Sequence, residues 1–152
     1  MQTGNKAGLF DMTIDDVEAA YLFGRPAGER RNRGVTFTPQ WIVDLMIGFV
    51  AQRRSSDVTV VDTGAGAGRF SISAARALPE TRVIAIESDS ELASVLRKLI
   101  RRLKLAGRVS VLHEDFLSAS IPDDRPRIFI GNPPYVRHHA LPRSRKSWLG
   151  MA

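Results

Sequence analysis

Apolar positions along the chain follow two rhythms. The first is a short, nearly unbroken run, seen at Val58-Thr59-Val60-Val61-Asp62, Arg82 to Ile86, Arg108 to Leu112 and Ile128 to Ile130. Runs of this length, rich in β-branched residues and bounded by turn formers, predict buried strands. The second is a helical stripe. Leu92, Val95, Leu96, Leu99, Ile100 and Leu103 recur three and four apart across Ser90 to Ala106, and Gly107 is placed to end that helix. Arg69 to Leu78 predicts a helix that stops at Pro79. Thr13 to Phe23 predicts a short helix with Thr13 as N-cap, acids in its first turn and Gly24 as its stop. Thr38-Pro39 predicts another helix start, a cap followed by proline at the first helical position. That helix is expected to bury Ile42, Leu45, Met46, Phe49 and Val50, with Trp41 as a packing residue.

From residue 58 onward strands alternate with helices, which predicts an α/β fold with a parallel sheet and right-handed crossovers. Residues 1–34 read as a leader holding the short helix and a basic loop, with Arg25, Arg30, Arg31 and Arg33. Residues 35–136 read as the α/β domain and residues 137–152 as a basic tail.

Composition narrows the class. Of 152 residues, 43% are hydrophobic and 25% charged, which suits a packed core. With no cysteine there is neither a disulfide framework nor a zinc–thiolate site, and a cytoplasmic location is expected. No apolar stretch is long enough to span a bilayer. A net charge of +6 is compatible with a polyanionic partner, nucleic acid first.

Candidate chemistry clusters at predicted strand ends. Asp62-Thr63-Gly64-Ala65-Gly66-Ala67-Gly68 lies between a strand and a helix, where glycines let backbone approach a ligand closely. Glu87 ends the next strand, where a carboxylate can accept both hydroxyls of a ribose. The spacing is Gly-x-Gly-x-Gly with an acid before it. That acid repels a pyrophosphate but attracts a cation, so S-adenosylmethionine fits better than a dinucleotide. Asp115-Phe116 follows the third strand and suits an adenine amino group and ring face. Alone, a strand-end acid beside a core phenylalanine explains the pair better; the functional reading gains weight because all these acids lie at the carboxyl ends of parallel strands, where such sheets bind ligands. Asn132-Pro133-Pro134-Tyr135 follows the fourth strand. Both Asn132 and Pro133 precede proline and are driven towards extended backbone, giving a stiff turn rich in acceptors beside an aromatic face. Such a turn suits a flat molecule with an exocyclic amino group. Arg137, Arg143, Arg145 and Lys146 are placed to touch phosphates, whereas His138-His139 lacks the further ligands of a metal site. The cationic face of Arg97, Lys98, Arg101, Arg102 and Lys104 reads as the solvated side of its helix.

These motifs together resemble the Rossmann-like class I S-adenosylmethionine-dependent methyltransferases, and within them the adenine-N6 DNA methyltransferases. Gly34-Val35-Thr36-Phe37-Thr38-Pro39 resembles the upstream cofactor motif, Asp62 to Phe70 the glycine-rich motif, Glu87 the ribose acid and Asp115-Phe116 the adenine pair. Asn132-Pro133-Pro134-Tyr135 matches the catalytic motif, and the order is the gamma order of restriction–modification enzymes. The resemblance implies a three-layer fold, here ending after the fourth of seven strands, with S-adenosylmethionine as cofactor and no metal. It implies DNA as partner, with a flipped adenine as target and a complementary chain to supply missing strands and target recognition. A protein-glutamine methyltransferase, an RNA guanine methyltransferase and a non-catalytic cofactor-binding subunit stay open as alternatives.

Overall fold

Four strands, all parallel, organise the computed structural model, which describes residues 13–24, 36–53, 57–122 and 124–132. In chain order the elements are α1 (Ile14–Phe23), α2 (Gln40–Arg53), β1 (Thr59–Thr63), α3 (Arg69–Ala77), β2 (Arg82–Ile86), α4 (Ser90–Arg102), β3 (Val109–Leu112) and β4 (Arg127–Ile130). The predicted leader before Thr13, the basic loop over 25–34 and the basic tail lie outside the described residues.

The strand order is β3-β2-β1-β4. Its register sorts side chains onto two faces, because alternate residues of a strand point to opposite sides. Val60 aligns with Val83 and Ile128, and Val83 with Val109. This row belongs to the main core, packed under Val43, Ile47 and Val50 of α2, Phe70, Ile72, Ala74 and Ala75 of α3, and Leu92, Leu96 and Leu99 of α4. On the other face Val61, Ile84 and Ile86 are buried beneath Leu112, Ala119 and Ile121. The β3–β4 connection thus covers that face with loop residues, and among its described residues there is no helix.

Local chemistry explains the helix ends. Thr13 caps α1 through a capping box: its Oγ1 accepts from Asp16 N at 3.2 Å, and Asp16 Oδ2 accepts from Thr13 N at 2.7 Å. The backbone bond from Thr13 holds the Asp16 carboxyl below its ordinary pKa. Asp89 caps α4, accepting from the N–H groups of Glu91 and Leu92 at 2.9 and 3.2 Å.

Three expectations are corrected. α2 begins one residue later than its signal: Pro39 stands at the cap, and its carbonyl receives Val43 N–H at 3.3 Å. α2 also buries Val43, Ile47 and Val50 and leaves Trp41, Leu45 and Phe49 exposed at 67%, 54% and 49%. The helix is apolar almost all round, so periodicity does not select its inner face. Finally, α4 ends at Arg102, before Gly107. Lys104 takes the left-handed conformation at φ 57°, Leu105 N donates to Ile100 O, and Lys104 N to Arg101 O. This is a Schellman ending without glycine, anchored by buried Leu105.

Candidate cofactor and active site

Topology selects one place on this sheet. The chain steps from β1 to β2 to β3 in one direction, then crosses back to lay β4 on the far side of β1. In open parallel sheets, ligands bind outside the carboxyl ends of the strands where the order reverses. Here that crevice lies at the ends of β1 and β4, flanked by the glycine turn on one side and Asn132 on the other.

The glycine turn folds over the end of β2. Gly64 and Ala65 both donate to Ile86 O at 2.9 Å. Gly66 and Gly68 hold φ of 57° and 92°, which disfavour side chains. A Cβ on Gly68 would come within 2.1 Å of Leu96 Cδ1, so this glycine also lets α4 approach α3. Phe37 from the upstream motif lies over the turn: a Cβ on Gly66 would stand 3.3 Å from Phe37 Cε1. Sequence-distant segments that both read as cofactor motifs are therefore in contact. Thr36 and Pro39 flank that ring at exposed positions and Thr38 is half-buried.

Asp62 is fully buried on the helix-covered face. Its Oδ2 accepts from Ser71 N at 2.9 Å and from Ser71 Oγ at 2.6 Å, while Oδ1 is without a hydrogen-bond partner among the described residues. Burial pushes its pKa up to about 7, helped by the nearby Glu87 charge and opposed by the Ser71 bonds. Asp62 is thus a desolvated acid with one of its two oxygens unused.

Glu87 sits at the end of β2 with both oxygens fixed by backbone. Its Oε2 accepts from Gly66 N and its Oε1 from Asp89 N, each at 2.7 Å. A carboxylate oxygen has two lone pairs, so each still has room for a hydroxyl donor. Asp89 in turn receives the Tyr21 hydroxyl at 3.0 Å. The Tyr21 ring meets Phe37 edge-on, centroids 6.1 Å apart.

A guanidinium clamp holds the surrounding helices. Arg69, the first residue of α3, donates to Glu18 at 2.9 and 2.5 Å, to Asp15, and to Gln40 at 3.3 Å. The Glu18 bond chiefly raises the Arg69 pKa, while burial lifts that of Glu18 despite its cationic partner. Ser71, Asp89, Tyr21 and Arg69 escaped the sequence reading as site residues, since nothing local to them signals partners so far along the chain.

At the other strand ends, Asp115 Oδ1 accepts from Leu117 N at 3.0 Å, shaping a turn. Phe116 is 39% exposed and packs edge-on against Phe129, rather than entering the core. Gly131, also missed, makes the approach of Asn132 feasible. At φ 140° a Cβ there would lie 2.9 Å from Thr63 O, so only glycine passes this close to the end of β1. Asn132 is half-buried just beyond. Pro133, Pro134, Tyr135, His138 and His139 and the basic residues after them lie outside the described residues. Among the described residues there is no cluster of three or more histidine, cysteine or acidic side chains fit to hold a metal, and no helix long and apolar enough to cross a membrane.

Comparison with known proteins agrees with this architecture. The family model for ribosomal RNA adenine dimethylase matches residues 49–141. The type II methyltransferase M.XamI of Xanthomonas campestris pv. amaranthicola is 37% identical over 125 residues, covering 81% of this chain and 24% of the relative. A release factor glutamine methyltransferase of Moorella thermoacetica is 30% identical over 145 residues, covering 90% of this chain and 51% of the relative. The chain therefore spans about a quarter of the length of the first of these relatives and about half of the second. A Pyrococcus horikoshii protein assigned to the RNA methyltransferases shares the fold, with TM-score 0.56 and 24% identity over 84% of this chain and 60% of that one. The residues fit S-adenosylmethionine, the cofactor of such enzymes: a turn without side chains at Gly66, a fixed carboxylate at Glu87, and an unsatisfied buried acid at Asp62. This chain belongs to the S-adenosylmethionine-dependent methyltransferase family that the ribosomal RNA adenine dimethylase model describes.

Proposed function

We propose that the chain carries the cofactor site and catalytic turn of a methyltransferase acting on the N6 amino group of adenine in DNA. The observation that carries this reading is the position of Asn132. Gly131 passes close to Thr63 at the end of β1, so Asn132 follows directly at the strand pair where the topology reverses. S-adenosylmethionine supplies an electrophilic methyl group. The Asn132 side-chain oxygen and the Pro133 carbonyl accept hydrogen bonds from the adenine amino group, favouring the positive charge that develops on its nitrogen. Pro134 stiffens the turn, and Tyr135 stacks on the flipped base, worth roughly 1–3 kcal/mol. Glu87 takes the ribose hydroxyls and Asp115 with Phe116 the adenine of the cofactor. Asp62, Gly64, Gly66 and Gly68 line its methionine side, covered by Thr36, Phe37, Thr38 and Pro39.

Adenine is supported by the description of the matching family. DNA is supported by the motif resemblance, the likeness to a type II methyltransferase and the net charge of +6. A restriction–modification setting, a cytoplasmic location and a complementary chain for target recognition belong to the same reading. A second reading, methylation of a protein glutamine, is favoured by the 90% of this chain that aligns with a glutamine methyltransferase. An amide nitrogen needs the same acceptors as an adenine amino group. Transfer of labelled methyl groups to duplex DNA, to RNA and to a glutamine peptide separates these. DNA labelling that Asn132→Ala abolishes, with cofactor affinity unchanged, is the expected result. Labelling of the peptide alone establishes the second reading. Equal loss of transfer and cofactor binding refutes the role given to Asn132.

A further inference from the structure

Helix α1 lies far upstream of the glycine turn in sequence, yet it is bound closely to the site. Tyr21 is 5% exposed, and its hydroxyl does not merely fill space: it donates to Asp89 Oδ2 at 3.0 Å. Asp89 uses its other oxygen to cap α4 and its own N–H to hold Glu87 Oε1 at 2.7 Å. Glu87 Oε2 holds Gly66 N–H at 2.7 Å, and the Phe37 ring beside Gly66 rests edge-on against Tyr21. The contacts form a closed circuit from Tyr21 through Asp89, Glu87 and Gly66 to Phe37 and back. We propose that Tyr21 is a positioning residue for cofactor binding, orienting the Glu87 carboxylate through Asp89 and seating Phe37 on the glycine turn. The proposal rests on the reading of Glu87 as the ribose acid.

The physical case lies in what each member lacks alone. A carboxylate on a strand end rotates about three side-chain bonds, and a ribose diol needs both acceptor oxygens in one plane. Two backbone N–H groups fix that plane, and one of them belongs to Asp89, whose place is set by the Tyr21 hydroxyl. Burial makes that hydroxyl bond stronger than the same bond in water. The α1 helix is also tied to α3 by Arg69, so Tyr21 is delivered by a braced element.

Calorimetric titration of S-adenosylhomocysteine into the 152-residue chain tests this with Tyr21→Phe, Glu87→Gln and the double variant. Tyr21→Phe keeps the ring contact with Phe37 and removes the hydroxyl that donates to Asp89. Loss of one hydrogen bond to a charged group predicts roughly tenfold weaker binding. In the Glu87→Gln background the same change should cost about twofold or less, because residues acting through one another are not additive. Binding by Tyr21→Phe within about twofold of wild type, or an undiminished loss in the Glu87→Gln background, overturns the proposal. Normal binding by Glu87→Gln refutes the ribose-acid reading beneath it and the proposal with it, as does absence of binding by the folded wild-type chain.

Discussion

Replacing Asp62 by asparagine removes a charge that the fold holds at considerable cost. Burial raises this carboxyl from its ordinary 3.8 to about 7. Between those values the folded chain keeps a proton that the unfolded chain has released, so stability falls as pH rises across that interval and levels off above it. At about 1.4 kcal/mol per pH unit, the whole interval amounts to about 4 kcal/mol, and the part between about pH 5 and about pH 8 to about 3 kcal/mol. The amide of Asp62→Asn would keep an acceptor for Ser71 N and Oγ, which wild-type Asp62 satisfies at 2.9 and 2.6 Å, and would never ionise. Urea denaturation at about pH 5 and about pH 8 for both proteins isolates the effect, since titrating groups not coupled to Asp62 cancel in the comparison. The expected result is a variant more stable than wild type at the higher pH, with the advantage shrinking by a few kcal/mol at the lower. An advantage that stays constant across this range would falsify the buried, proton-holding state of Asp62.

Two further substitutions probe the backbone that carries the site. Gly131→Ala places a Cβ 2.9 Å from Thr63 O in a conformation hostile to side chains, and neither backbone segment can yield easily. About 2 kcal/mol or more of stability should be lost, with methyl transfer reduced beyond any change in cofactor affinity; a neutral variant in chemical denaturation would contradict the close passage at the end of β1. Lys104→Gly relieves the left-handed residue that ends α4, so thermal denaturation should show a gain of about 0.5–1 kcal/mol; a loss would show that Lys104 contributes more by its side chain than its backbone strain costs.

Much of the fold was legible because buried parallel strands are continuous apolar runs, and these four occupy the positions their runs indicated. The acids at their ends were legible for the same reason: a charge that breaks or follows such a run marks where the strand stops, even though Asp62 itself lies within β1 and is buried. α2 was legible as a helix but not in its orientation, since Trp41, Leu45 and Phe49 are as apolar as the buried Val43, Ile47 and Val50. The end of α4 misled because glycine is the usual left-handed residue, whereas here the burial of Leu105 fixes the turn and Lys104 adopts the conformation it requires. The supporting shell was not legible at all. Tyr21 and Asp89 are 68 positions apart, and Arg69 and Glu18 are 51 apart, so no window along the chain contains either pair.

The four acids gathered near the strand ends pose an electrostatic problem, and each is handled differently. Glu87 receives a backbone N–H on each oxygen. Asp89 is absorbed into the cap of α4 and the Tyr21 bond. Asp115 closes a turn with Leu117 N. In each case a donor belonging to the protein faces the carboxylate, and such charge-assisted bonds are the strong ones. Asp62 differs in being met on one side alone: Ser71 N and Oγ both donate to its Oδ2, its Oδ1 has no donor among the described residues, and burial favours its neutral form. Such a group gains more than its neighbours from the arrival of a positive charge. A cationic cofactor seated on the glycine turn would draw Asp62 into its ionised state and release a proton as it binds. On the proposed reading, that coupling would make an acid that destabilises the empty fold favourable to the occupied one.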